Sequence, residues 1–348
     1  MPAGHLPGHI EASNMGLFII DEDRCLNYNY KKTECHNCRD VCPEQCWDDA
    51  GRTSPERCNG CGLCQSVCPV DAIGVEGIPV TAWNELTGRK AVSLHLSCRR
   101  FGSGPWSCLG FLNARDWVAL AWPMADQALR DIFVYHSHCR KCRPSVADAV
   151  EREIGRANRF LARFGRERIQ LGENPPWPDT ETQAMNRRSF FSSLITTGVE
   201  TARNVMWPED GAVPLAKSRW RSQVLRDRDA AELAGPQDLF PTLAVAQNCI
   251  ACGLCAKICP VQAITAVEND NCIELRHEPL LCTGCGLCAA HCPVDSITLA
   301  CEGQAAKQKL IVQDFPGCIE CGAIFKPAGQ QLTCFDCLLK GRQSIFGP

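Results

Sequence analysis

The chain has 348 residues, a hydrophobic fraction of 45%, a charged fraction of 22% and a formal net charge of −3. That size and balance exclude a chain disordered throughout, and the near-neutral charge leaves no basic footprint for nucleic acid. Cysteine is the outlier with 27 copies, in a chain that is not short and is not expected to be a secreted disulfide scaffold.

No Lys or Arg precedes the first apolar run, Leu17 to Ile20, so no signal peptide is expected there. No stretch approaches the roughly 20 apolar residues that cross a bilayer. The expectation is a soluble, cytoplasmic protein without direct membrane insertion.

Cysteine spacing organises the segment 17–80. Cys58, Cys61, Cys64 and Cys68-Pro69 read C-x2-C-x2-C-x3-C-P, and the phrase runs on into Val70-Asp71-Ala72-Ile73. A distorted copy precedes it. Cys42-Pro43-Glu44-Gln45-Cys46 aligns with Cys68-Pro69-Val70-Asp71-Ala72, which sets Cys46 where the other copies carry Ala or Ser. In that register Cys38 and Cys35 fall on cysteine positions, and the first position falls on Lys32. Cys25 is the replacement we favour, because Asp23-Arg24-Cys25 resembles Glu56-Arg57-Cys58. Cys46, or a corner with no protein ligand, are the alternatives.

Residues 88–172 read as a small α/β unit, with strands at 91–96 and 132–136 and helices over 114–130 and 145–164. Cys98, and Cys139 with Cys142, follow the two strands, and ligand sites in open α/β sheets collect beyond the carboxyl ends of strands. Together with Cys108 they form a candidate four-thiol site for an iron–sulfur cluster or zinc. A dithiol or disulfide pair and unrelated structural cysteines are the other readings. His95, His136 and His138 flank it, and packed or solvated roles are expected for each.

Residues 173–239 combine a linker rich in proline (Pro175, Pro176, Pro178) with Arg-rich amphipathic segments that suit docking. Within them, Met185-Asn186-Arg187-Arg188-Ser189-Phe190-Phe191 has the form of a twin-arginine export signal. Its internal position argues against export, unless translation also starts at Met185.

The segment 240–302 holds two clean copies of the phrase: Cys249, Cys252, Cys255, Cys259-Pro260, and Cys282, Cys285, Cys288, Cys292-Pro293. An unbroken triple of C-x2-C steps wraps three corners of a [4Fe–4S] cube, whereas zinc sites use two pairs with a longer spacer. Gly60, Gly62, Gly253, Gly284 and Gly286 let the loop backbone approach sulfur. Residues 312–345 show that other pattern, because Cys318-x2-Cys321 and Cys334-x2-Cys337 are separated by residues 322–333. Structural zinc is expected there, with rubredoxin-like iron as the alternative, since so short a tail needs a metal to fold. Cys272 and Cys301 lie outside every motif.

On these motifs, residues 17–80 and 240–302 each resemble a bacterial two-cluster ferredoxin domain. The resemblance implies small hairpins with short helices, and a cysteine before proline that ligates the other cluster of its pair. The implied sets are Cys25, Cys35, Cys38 with Cys68; Cys58, Cys61, Cys64 with Cys42; Cys249, Cys252, Cys255 with Cys292; and Cys282, Cys285, Cys288 with Cys259. The order of strands and cysteines in the middle unit resembles the delta subunit of methyl-viologen-reducing hydrogenases, which implies a [2Fe–2S] cluster there.

The expected fold class is therefore α+β, two ferredoxin-like domains flanking a small α/β unit, with a terminal zinc ribbon. The sequence contains no phosphate loop, dinucleotide fingerprint, nucleophile elbow or H-E-x-x-H helix. The leading expectation is an electron-transfer subunit with four [4Fe–4S] clusters, working in a complex with hydrogenase, dehydrogenase or reductase subunits. A catalytic oxidoreductase using thiol or sulfur chemistry at the middle site, and a cluster-based redox or oxygen sensor, are the alternatives.

Overall fold

The computed structural model describes residues 18–30, 33–47, 54–75, 86, 93–101, 104–122, 129–165, 168–173, 236–237, 239–300, 303–325 and 331–343. Lys32, Cys301 and the segment around Arg187 and Arg188 lie outside the described residues. The chain divides into two compact units, Met1–Asn29 with Cys35–Trp220 and Tyr30–Glu34 with Arg221–Pro348.

In the first unit, β1 (Phe18–Ile20) pairs antiparallel with β2 (Ile73–Val75), Phe18 opposite Val75 and Ile20 opposite Ile73. The pairing joins the two ends of the first cysteine-rich segment. Between them lie three short helices, α1 (Leu26–Asn29), α2 (Asn37–Val41) and α3 (Leu63–Val67). Gly62 starts α3 from the left-handed region, at φ 79°, a conformation that costs an L side chain energy and glycine almost none.

The α/β part of this unit is a parallel sheet in the order β3 (Ser93–Ser97), β4 (Asp131–Tyr135), β5 (Ile169–Gly172). Leu94 stands opposite Ile132, and Ile132 opposite Ile169. Parallel neighbours need crossover connections, and helices α4 (Ala114–Ala121) and α6 (Pro144–Leu161) lie on them, with the helical turn α5 (Cys139–Cys142) leading into α6. A capping box starts α4: the Asn113 side chain accepts from the Arg115 and Asp116 N–H groups, and Asp116 accepts from the Asn113 N–H.

Helix α4 corrects the expectation of a helix over 114–130. It stops at Ala121 because Trp122 precedes Pro123, and a proline ring disfavours helical backbone at the residue before it. Helix α6 begins one residue before the Ser145 start, since Pro144 at its first position needs no donor and has its φ already set. Trp106, Phe111, Trp117, Trp122 and Phe160 are buried to 2% exposure or less, as are Ile132 and Val134 of β4. Strand β5 was not foreseen. Asn158 on α6 holds it, donating to the Ile169 carbonyl at 2.7 Å and accepting from its N–H at 3.0 Å.

In the second unit, the short strands β6 (Pro236–Gln237) and β11 (Gly303–Gln304) pair, as do β7 (Thr242–Val245) and β10 (Ile297–Ala300). Strands β8 (Ile264–Glu268) and β9 (Cys272–His277) form a hairpin, and β12 (Gln308–Asp314) adds to the other side of β9. Sheet formation thus continues past residue 302, and Cys272 serves as the β9 residue opposite Asp314. One-turn helices α7 (Leu254–Lys257) and α8 (Leu287–Ala290) follow Gly253 and Gly286, both in the left-handed region. Leu243, Ile264, Ile273, Leu275 and Ile297 pack with Cys255 as the core. The last helix, α9 (Phe335–Gln343), starts directly after Cys334.

His277 gives this unit a pH dependence. It is buried to 1% exposure, opposite Gln308, and burial lowers its pKa to about 4, against a partial opposing effect of the Gln308 side chain. Its folded pKa lies below the unfolded value, so the associated stability is complete above about pH 6.5 and is lost as the pH falls toward 4. Chemical denaturation at pH 7 and pH 5 should show the wild type losing on the order of 2 kcal/mol relative to His277→Gln. Parallel losses in the two proteins would refute a neutral buried imidazole.

Candidate functional site

The cysteines gather into six groups, and local backbone geometry explains how the repeats present their sulfurs. After each Cys-Pro step, the third residue beyond the cysteine sits in the left-handed region: Gln45 at φ 48°, Asp71 at 51°, Gln262 at 53° and Asp295 at 49°. That bend turns the next N–H back on the cysteine. Cys46, Ala72, Ala263 and Ser296 donate to the Sγ atoms of Cys42, Cys68, Cys259 and Cys292 at 3.4, 3.2, 3.2 and 3.3 Å. The same contact in all four copies makes Cys46 the structural counterpart of Ala72, Ala263 and Ser296.

Cys25, Cys35, Cys38 and Cys68 line one cavity. Burial pushes the Cys38 thiol up to about 11, and the neighbouring Cys35, Cys68 and Cys25 add to the effect. Cys42, Cys58, Cys61 and Cys64 line a second cavity, and Cys46 lines it too. Burial raises the Cys64 thiol first, with Cys61, Cys58 and Cys42 next in order. Cys46 is thus brought to the second cavity and not to the first.

In the other unit, Cys249, Cys252, Cys255 and Cys292 line one cavity. Cys282, Cys285 and Cys259 surround Cys288, whose thiol burial pushes up to about 12 with their help. Cys292 differs from the rest. Burial opposes its ionisation, but the Ser296 hydroxyl at 3.3 Å and the N–H groups of Ser296 and Val294 hold its pKa below the usual thiol value.

Cys98, Cys108, Cys139 and Cys142 also converge on one cavity, lined further by Phe101, Arg100 and Arg143. Burial pushes Cys139 up to about 12, with Cys98, Cys108 and Cys142 adding to it. The Arg100 guanidinium donates to Cys142 Sγ at 3.2 Å. The flanking histidines are engaged elsewhere: His95 with the Tyr135 hydroxyl at 2.8 Å, His136 with Glu151 at 2.8 Å, and His138 stacked on Phe101 at 4.7 Å.

Cys318, Cys321, Cys334 and Cys337 form the tightest group, with all four Sγ atoms within 4.8 Å of one another. Cys321 Sγ and Cys334 Sγ lie 3.7 Å apart, close to the roughly 3.8 Å edge of a zinc tetrathiolate with bonds of about 2.3 Å. Among the described residues, no other three metal-ligating side chains come that close together. The Cys334 N–H donates to Cys318 Sγ at 3.3 Å, and chiefly this bond, against burial, brings the Cys318 thiol down to about 6. The left-handed Gly322, at φ 71°, turns the knuckle so that its N–H reaches the Cys318 carbonyl at 2.8 Å.

Sequence reasoning missed Arg100, Arg143 and Ser296. Only Ser296 carried a signal, as a hydroxyl at a repeat position that otherwise holds Ala72 and Ala263. Soft thiolates in groups of four suit iron and zinc, whose charge deprotonates a coordinating thiol.

Comparison with known proteins agrees with that chemistry. Residues 244–299 match a family described as a 4Fe-4S dicluster domain, and residues 52–74 match a 4Fe-4S binding domain. The chain is similar to pyruvate synthase subunit PorD of Methanothermobacter marburgensis, 39% identical over 58 residues, covering 17% of this chain and 63% of the relative. It is also similar to a ferredoxin of Rickettsia felis, 33% identical over 72 residues, covering 20% of this chain and 62% of the relative. The chain therefore spans a little under two thirds of the length of each of these relatives. Among the described residues, no helix is long and apolar enough to cross a membrane. The matched segments are 4Fe–4S ferredoxin-type iron–sulfur segments with an electron-transfer role.

Proposed function

We propose that this protein is an electron-transfer subunit that relays single electrons through four [4Fe–4S] clusters between redox partners. The observation that carries the reading is the interlocking of the repeats. Each group of three cysteines from one repeat shares its cavity or its immediate surroundings with the Cys-Pro cysteine of the other repeat, namely Cys68, Cys42, Cys292 or Cys259. Exchange of the fourth ligand is the arrangement of two-cluster ferredoxins.

Cys98, Cys108, Cys139 and Cys142 are assigned to an additional iron–sulfur centre, of the [2Fe–2S] type. Their common cavity supports this. Cys318, Cys321, Cys334 and Cys337 are assigned to zinc. The partners are oxidoreductase subunits, a class suggested by the relative named as a subunit of a pyruvate synthase, and the site of action is the cytoplasm.

Metal and sulfide analysis of anaerobically purified protein tests the whole assignment. About eighteen iron, eighteen labile sulfide and one zinc per chain are expected. Zinc in excess of iron would sink it. Ser296 offers a finer check, because hydrogen bonds to cluster sulfur raise the reduction potential. In a potentiometric titration, Ser296→Ala should lower the potential of the cluster at Cys249, Cys252, Cys255 and Cys292 and leave the others in place. An unmoved potential would remove the hydroxyl from the account.

A further inference from the structure

The α/β unit and the Cys58–Cys68 loop belong to the same compact unit, and their contacts fall at the cysteines of both. Gly110, two residues after Cys108, packs against the Cys61 backbone. A Cβ there would meet the Cys61 carbonyl oxygen at 2.5 Å and Val146 Cγ1 at 3.1 Å, so only glycine permits this approach. Asn113 Nδ2 donates to the Ser66 carbonyl at 3.0 Å. Arg143, next to Cys142, lines the cavity of Cys98, Cys108, Cys139 and Cys142, and its guanidinium donates to the carbonyl of Asn59. Asn59 in turn lines the cavity of Cys42, Cys58, Cys61 and Cys64.

Resting on the proposed iron–sulfur centre at Cys98, Cys108, Cys139 and Cys142, we infer that this centre exchanges electrons directly with the cluster at Cys42, Cys58, Cys61 and Cys64, and that the Arg143 guanidinium between them sets both potentials. In the transfer, one electron leaves reduced iron at one site and reaches oxidised iron at the other. No Fe–S bond breaks and no proton moves. Each centre gains a unit of negative charge on reduction, so a fixed positive charge beside both stabilises both reduced forms. Arg143 acts as a positioning residue for the exchange. The middle centre thereby becomes the port through which the α/β unit delivers electrons to, or collects them from, the first ferredoxin segment.

Potentiometric EPR titration of the anaerobic full-length chain with dithionite tests this, alongside iron and sulfide counts. Arg143→Gln should keep the iron count and lower two midpoint potentials together, those of the middle centre and of one [4Fe–4S] cluster, while the other three clusters keep theirs. Arg143→Lys should restore most of both shifts. A shift confined to one centre, or none, would overturn the shared guanidinium. Should Arg143→Gln lose iron, wild-type protein supplies the reading. The EPR signal of the middle centre should relax faster once its neighbour is reduced, and a signal indifferent to the neighbour's state would overturn direct exchange. A wild-type middle site that holds zinc and lacks about two irons defeats the underlying cluster assignment instead, a result separable from the others by metal analysis alone.

Discussion

Cys25→Ala is expected to lower iron and labile sulfide by about four each per chain, while Cys46→Ala leaves both unchanged. The two cysteines compete on paper for one corner of the first cluster, since the repeat register puts Lys32 at that position. The tertiary structure separates them. Cys25 lines the cavity of Cys35, Cys38 and Cys68, and Cys46 lines that of Cys42, Cys58, Cys61 and Cys64. Cys46 follows Cys42 through the same left-handed bend that orients Ala72, Ala263 and Ser296, and it bonds Cys42 Sγ through its backbone N–H, with its thiol also against Cys42. Removing its side chain keeps that bond, whereas removing the Cys25 thiol strips one corner of a cluster. Iron lost from Cys46→Ala with iron retained in Cys25→Ala would reverse the assignment.

Cys334→Ser is expected to remove the zinc and to unfold residues 317–325 and 331–343, leaving the sheet of β8, β9 and β12 protected. Among its described residues the knuckle has almost no apolar core. Cys318, Cys334 and Cys337 are its buried cluster with Phe325 packed against them, while Ile319, Leu332 and Phe335 are 71%, 60% and 68% exposed. Burial therefore cannot order this segment, whereas a four-thiolate zinc site contributes about 10–16 kcal/mol of apparent binding energy that folding can use. Cys334 is the most damaging position, because its N–H also bonds to Cys318 Sγ and its carbonyl accepts from Leu338 at 3.0 Å in α9. Limited proteolysis with zinc analysis checks this: cleavage within the knuckle and a loss of about one zinc per chain are expected. A protease-resistant knuckle without metal would show that packing suffices.

Much of the local chemistry was legible from spacing. Three cysteines two residues apart, glycines at Gly60, Gly62, Gly284 and Gly286, and a proline after the fourth cysteine describe a loop whose geometry depends on residues within about one turn of each other. The end of α4 was signalled at Pro123 as well, but the helix expected over 114–130 ran through that signal, and the structure stops it at Ala121. The left-handed residue of each Cys-Pro turn was less so, because Gln45, Asp71, Gln262 and Asp295 are not glycines, and the N–H to sulfur bond that follows explains why the strain is tolerated.

By itself, the sequence determined the repeat, the soft thiolate chemistry and the separation of triple-cysteine loops from paired knuckles, because each depends on neighbours along the chain. Only the tertiary structure decided that Cys25 and Cys46 face different cavities, that Cys98, Cys108, Cys139 and Cys142 meet, and that β12 extends the second sheet. Those outcomes follow from strand pairing and core packing between residues tens of positions apart. The Asp23-Arg24-Cys25 context and the placement of cysteines after strands suggested the first two, but local spacing carries no record of β12, nor of Arg143 reaching from one cysteine cavity to the carbonyl of Asn59 beside the next.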